Sequence, residues 1–192
     1  MTEEVINKLP DELKEYICTL KKASTDISNK EPMCESLMKV VNFDKIPNRY
    51  AKGRGWSGVP KSNDALYIDA EKQWFFVEFK NGEVHKDDIY RKLYDSLIML
   101  MEWGIIPDFE FGRKNINYIL VFNEGQYKKI QQSPARDQTY NYMLKLAKQE
   151  KRLFDIDKFE KYLFKETHTY TKDEFEDNFV RIKEQEEEKM QS

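Results

Sequence analysis

The chain predicts an α/β fold, a mixed central sheet flanked by helices, and three observations carry that expectation. Two strand-like runs, Ala65–Ile68 and Trp74–Lys80, are separated by a short polar turn and read as a hairpin. From about Asp87 an amphipathic stretch places Ile89, Leu93, Leu97 and Met101 on one stripe, with Tyr90, Tyr94 and Ile98 beside it. Ile116 to Phe122 is almost wholly apolar, which suits a strand covered on both faces.

The remaining elements follow from local chemistry. Pro10 suits a first turn, and Leu13, Ile17 and Leu20 make a stripe, so residues 10–22 read as one helix. A second helix is expected after Asn29, carrying Met33, Cys34, Leu37, Met38 and Val41. Residues 45–62 hold Gly53, Gly55, Gly58, Pro47 and Pro60 and read as a loop. Gly104 and Pro107 end the helix that begins near Asp87. Ser133-Pro134 opens a helix with Tyr140, Met143, Leu144 and Ala147, and residues 162–170 read as a last strand. Thr171-Lys172-Asp173-Glu174 is a capping box for a final helix carrying Phe175, Phe179 and Ile182. The layout is one domain over residues 1–182, with a C-terminal α/β elaboration and a solvated acidic tail over 183–192.

Composition narrows the function classes. At 192 residues the chain suits one sizeable domain, and 14% aromatic residues can furnish a packed core. With 32 basic and 35 acidic residues the net charge is -3, which excludes a polybasic binder. Nucleic-acid contact would need a local patch. Cys18 and Cys34 form no zinc spacing with His85 or His168, and a reducing compartment is the default. Thr2-Glu3-Glu4 is the wrong chemistry for a signal peptide, and the apolar run 97–101 is too short to span a bilayer. A soluble cytoplasmic protein with no membrane contact is expected.

One constellation carries chemistry. Glu78 and Lys80 sit two residues apart on a strand and share a face. A turn centred on Glu71 pairs Asp64 with Glu78, about 5 Å away across the hairpin. Asp69 would sit by the turn instead. Two carboxylates at that distance repel by about 3 kcal/mol at an effective dielectric of about 20. A divalent cation relieves that cost, and Mg²⁺ takes carboxylate oxygens, backbone carbonyls and water. Next to Lys80, such a site suits metal-assisted hydrolysis of a phosphodiester.

Asp64 followed by Glu78-Phe79-Lys80 resembles the signature of the PD-(D/E)XK, or restriction-endonuclease-like, phosphodiesterase superfamily. The surrounding order is similar to that family's core over about residues 31–123: a helix, a meander of strands bearing the motif, a helix, then a buried strand. Asn63 stands where the family usually has Pro, and residues 87–103 lack the glutamine motif of one branch. The resemblance implies a restriction-endonuclease-like core and a nuclease that uses Mg²⁺ or Mn²⁺, with DNA as the favoured substrate. It implies Asp64, Glu78 and the Phe79 backbone carbonyl as metal ligands, with Lys80 acting on water and the transition state. Glu35 occupies the place of an acid on the first core helix and is either a third metal ligand or a solvated glutamate.

Lys45, Arg49, Lys52, Arg54 and Lys61 punctuate the Gly-rich segment without one acid among them after Asp44, and Tyr50 and Trp56 are interleaved. These cations would meet phosphates while Trp56 stacks on a base, or the segment is an ordinary surface loop. Lys128, Lys129, Arg136, Lys145, Lys148, Lys151 and Arg152 extend a basic face or merely solvate helices. The rival to the nuclease is a non-catalytic module of the same fold that binds a protein partner.

Overall fold

A computed structural model describes residues 1–25, 31–82, 85–125 and 153–191. Among the described residues six strands form one open sheet, ordered in space as in the chain. They are β1 (Ile17–Thr19), β2 (Lys39–Asn42), β3 (Ala65–Ile68), β4 (Trp74–Lys80), β5 (Ile116–Phe122) and β6 (Glu166–Thr171). Neighbours from β1 to β4 are antiparallel, while β4, β5 and β6 run parallel. The sheet is therefore mixed, and the chain is an α/β protein.

Helices flank the sheet: α1 (Glu3–Lys8), α2 (Asp11–Lys14), α3 (Leu20–Ala23), α4 (Ile46–Gly53), α5 (Lys86–Glu102), α6 (Phe109–Asn115), α7 (Lys172–Phe175) and α8 (Arg181–Gln191). Short 3₁₀ segments cover Phe43–Lys45 and Leu153–Phe159, and a π turn over Glu176–Val180 joins α7 to α8. The central strand β5 is buried at every position because it pairs on both edges and is covered on both faces. The long helix α5 links parallel β4 and β5 as a crossover must, and buries Ile89, Leu93, Leu97 and Leu100 completely. It stops where Gly104 takes φ +68°, a conformation that glycine adopts without steric cost. Thr171 and Glu174 form the expected capping box at the start of α7.

Several expectations need correction. Residues 10–22 are two short helices with β1 between them, because Ile17 and Cys18 pair with Val41 and Val40 and extend the sheet edge. Leu13 and Leu20 stay fully buried in either arrangement, so the apolar stripe did not discriminate. Residues 31–38, where the second helix is expected, form no helix. Both backbone polar groups of Cys34 are taken by the Ser24 hydroxyl, at 3.1 and 3.2 Å, and the chain then enters β2. Residues 45–62 are half helix: Pro47 sits in the first turn of α4, which buries Ile46, Tyr50 and Ala51. The acidic end is also helical and packs back on the sheet. Lys183 meets the buried Asp69 at 2.9 Å, Glu187 accepts the Tyr67 hydroxyl at 2.8 Å, and Glu184 accepts the Ser36 hydroxyl at 2.6 Å.

The last strand begins at Glu166, and Ile98 and Ile182 are exposed rather than buried. The helix expected from Ser133-Pro134, with Tyr140, Met143, Leu144 and Ala147, lies outside the described residues. So do Lys128, Lys129, Arg136, Lys145, Lys148, Lys151 and Arg152. Among the described residues no helix is long and apolar enough to cross a membrane.

Candidate functional site

The hairpin register is the one that a turn at Glu71 demands. Ala65 pairs with Val77, Leu66 with Phe76, Tyr67 with Phe75 and Ile68 with Trp74. Asp64, just before β3, therefore lies opposite Glu78. Its backbone N–H donates to Val77 O at 3.2 Å, and its Oδ2 accepts the Phe79 N–H at 2.6 Å. Lys80 shares the face of Glu78, its Nζ 3.0 Å from Glu78 Oε1. Asp69, by contrast, sits at the turn, where its Oδ1 accepts the Gln73 N–H.

Sequence reasoning missed the residue at the centre. Lys92, on α5, donates to Asp64 Oδ1 at 3.1 Å and to Glu78 Oε1 and Oε2 at 2.7 and 2.9 Å. Its signal was present in the helix pattern. Asp88, Lys92 and Ser96 recur every four residues beside the apolar stripe of Ile89, Leu93 and Leu97, so a polar ridge faces the sheet. Asp88 takes Lys80 at 3.1 Å and Lys61 at 3.3 Å, and the Ser96 hydroxyl accepts both the N–H and the side-chain amide of Asn63 at 3.1 Å. Charge alternates through six side chains: Lys61, Asp88, Lys80, Glu78, Lys92 and Asp64.

Burial makes this chain of pairs consequential. The Glu78 side chain is wholly buried, and those of Asp64 and Lys92 are each 13% exposed. Desolvation and the Glu78 charge push the Asp64 carboxyl up to about 8, with Asp44 adding to the push and Lys92 opposing it. Burial pulls the Lys92 ammonium down, but Glu78 and Asp64 outweigh it and hold Lys92 above the usual lysine range. Lys80 behaves likewise: burial lowers it, the charge and hydrogen bonds of Glu78 and Asp88 together outweigh that, and it stays an ammonium at neutral pH. The hydroxyl of Tyr118 is buried without a hydrogen-bond partner among the described residues, and desolvation and the charges of Glu78 and Asp64 hold it well above the usual phenol range.

The donor set suits a hard cation. Three carboxylate oxygens of Asp64 and Glu78 already converge on one positive group, the Lys92 ammonium. Glu35 is not part of the set. It lies in the irregular segment before β2, exposed, and pairs with Lys21 at 2.6 Å. Among the described residues no three His, Cys, Asp or Glu side chains gather around a common metal position. A cation at Asp64 and Glu78 would therefore complete its shell from main-chain oxygen and water, as Mg²⁺ usually does.

The basic segment lies along α5, and most of its charge is spent internally. Arg54 pairs with Glu102 and stacks on Tyr50, its guanidinium 3.8 Å from the ring centre. Arg49 pairs with Glu15, and Lys61 with Asp88. Lys45 and Lys52 form no ion pair among the described residues, and both are exposed. Trp56 is 54% exposed, with its ring edge-on to Tyr50 at 5.8 Å.

A cavity of about 800 Å³ opens at the far end of the hairpin, lined by Leu9, Ile68, Trp74, Ile105, Phe111 and Met190. On its rim Lys8 pairs with Glu4 at 2.5 Å, and Asp69 with Lys183 at 2.9 Å. The chemistry-bearing cluster is thus at the Asp64 end of the sheet. Comparison with protein-family models, with curated proteins and with solved structures finds no match for this chain.

Proposed function

We propose that this chain is a metal-dependent nuclease that hydrolyses phosphodiester bonds through Asp64, Glu78 and Lys80. The observation that carries the reading is the meeting of Asp64, Glu78 and Lys80 at one end of the β3–β4 hairpin, with Lys80 Nζ 3.0 Å from Glu78 and Lys92 joining Glu78 to Asp64 at 2.7 and 3.1 Å. The order of a strand meander bearing the motif, a helix and a buried strand also supports it. DNA is the favoured substrate through the family resemblance alone.

In this reading Asp64 and Glu78 would hold Mg²⁺ or Mn²⁺, with the Phe79 carbonyl as the adjacent main-chain oxygen. The cation would acidify water and offset charge on the phosphoryl oxygens. Lys80 is an ammonium at neutral pH, so it serves as a hydrogen-bond donor to the attacked phosphate rather than as a base. Asp88 holds that ammonium in place from the other side. Water attacks phosphorus, the bond to the leaving oxygen breaks, and the water proton passes to solvent or to the leaving oxygen.

The test is cleavage of a labelled oligonucleotide in Mg²⁺ or Mn²⁺ by the native chain and by Lys80→Ala. Loss of one positioned donor costs about 10²- to 10³-fold in rate. Full activity of Lys80→Ala would remove the mechanism. The absence of cleavage by the native chain under any cation would favour the second reading, a non-catalytic module that binds a protein partner. Two observations favour that alternative: an ammonium stands between the carboxylates, and Arg49, Arg54 and Lys61 are tied to acids of the same chain.

A further inference from the structure

We propose that Lys92 is the resident counter-ion of the Asp64–Glu78 pair, and that a divalent cation binds there only as the Lys92 ammonium leaves, so that Lys92 sets how much metal the site requires. The inference rests on the nuclease reading only in taking Asp64 and Glu78 as the cation's ligands.

Three facts carry it. The ammonium lies within 2.7 to 3.1 Å of three carboxylate oxygens, which is the position that any cation shared by Asp64 and Glu78 must take. The pocket is nearly closed, with Glu78 wholly buried and Asp64 and Lys92 each 13% exposed, so water does little to screen two cations from each other. Both cannot occupy it. The displaced ammonium also has an acceptor within its own helix. Asp88 lies one turn N-terminal on the same ridge, with its carboxylate one third exposed. An acid four residues before a lysine is the favourable order for a helix pair.

Lys92 therefore serves two states. Without metal it pairs with the buried Glu78 and holds Asp64 Oδ1 beside it. With metal it swings toward Asp88, which already takes Lys80 and Lys61 and gives up part of that pairing in exchange. Removing the ammonium while keeping the length of its stem leaves Lys80 on Glu78 but no cation shared by Asp64 and Glu78 to displace.

The experiment is calorimetric titration of Mn²⁺ into the full chain and into Lys92→Met, at constant pH and ionic strength. The expected result is a dissociation constant at least tenfold lower for Lys92→Met. Metal binding by Lys92→Met alone also supports the proposal, and at the same time removes metal-dependent cleavage from the native chain. Equal or weaker binding by Lys92→Met overturns the proposal and leaves the nuclease reading standing. Binding by neither protein overturns both. If Lys92→Met does not fold, the native chain answers by lysine ammonium ¹⁵N resonances during a Mg²⁺ titration. An ammonium protected from exchange by its carboxylate partners should lose that protection as metal saturates. Its persistence at saturation overturns the proposal.

Discussion

The Asp64 carboxylate accepts the main-chain N–H of Phe79 at 2.6 Å, so the residue that precedes β3 is fastened to the middle of the Glu78-Phe79-Lys80 triplet. That bond favours the ionised carboxylate, but it acts against burial and against the Glu78 charge. The balance is unfavourable, and Asp64 holds its proton up to about pH 8.

The consequence for stability has a definite sign. In the unfolded chain Asp64 ionises near its reference value of about 3.9, whereas the folded chain keeps the proton to about 8. Between those values the native state binds more protons, so stability falls as pH rises through that window. Asp64→Asn keeps an acceptor for the Phe79 N–H and removes the ionisation. Its melting temperature should exceed that of the native chain by a margin that grows from pH 5 to pH 8.5 in metal-free buffer. Melting curves at several pH values measure this, and a constant margin would contradict it.

Lys92 and Glu78 should show strong coupling. Breaking a buried pair by removing one partner costs about 3 to 5 kcal/mol. Lys92→Met should fall at the low end, because Lys80 still meets Glu78 at 3.0 Å. About 3 kcal/mol lowers the melting temperature by roughly 6 to 12 °C at this size. Adding Glu78→Gln to Lys92→Met should restore part of that loss, since the orphaned charge is gone. A double-mutant cycle without a chelated metal checks it, and simple additivity of the two losses would show that the pair does not interact.

What could be read from the sequence depended on which pattern had a single solution. The hairpin came close, because a polar turn between two apolar runs centres near Glu71, and the observed register with that centre makes Asp64 face Glu78. The stripe of α5 and the all-apolar β5 were equally determined. Residues 10–22 were not, since Leu13 and Leu20 are buried in a broken arrangement as well as in a continuous helix. That choice was made by pairing with Val40 and Val41, which are distant in sequence. Lys92 escaped for another reason. A lysine on a charged helix ordinarily points to solvent, and only the four-residue spacing of Asp88, Lys92 and Ser96 marks this one as facing inward.

The basic segment should contribute little to salt-dependent binding. Arg49, Arg54 and Lys61 are committed to Glu15, Glu102 and Asp88, which leaves Lys45 and Lys52 without ion pairs among the described residues. Two phosphate contacts give a log–log slope of about -1.8 with salt, whereas five would give about -4.5. Between about 50 and 200 mM salt, affinity for an oligonucleotide should therefore fall roughly tenfold rather than several hundredfold. Replacing Lys45 and Lys52 together by Ala should flatten the dependence, and Trp56→Ala should cost about 1 to 3 kcal/mol if a base stacks there. A salt titration with a labelled strand in Ca²⁺ measures both. A slope near -4.5 would mean that the three ion pairs open on binding.

The C-terminal helix α8 gives the largest expected effect outside the site. A solvated acidic tail could be removed with a change within about 0.5 kcal/mol, as for most surface residues. The contacts argue otherwise. Lys183 neutralises Asp69, whose side chain is only 6% exposed, and Glu187 accepts the hydroxyl of Tyr67, which is 1% exposed. Truncation after Ile182 leaves the Asp69 charge buried without its cation and the Tyr67 hydroxyl without its acceptor. An uncompensated buried charge costs about 3 to 5 kcal/mol, and an unpaired hydroxyl about 1 to 3 kcal/mol more. The sum corresponds to a fall of at least about 8 °C in melting temperature for a chain of this size. Asp69→Asn in the truncated chain should recover part of that loss, because it removes the charge and keeps the acceptor for the Gln73 N–H. Thermal melts of the full chain, the truncation and the truncation with Asp69→Asn measure all three. Equal melting temperatures for the full and truncated chains would return residues 183–192 to solvent.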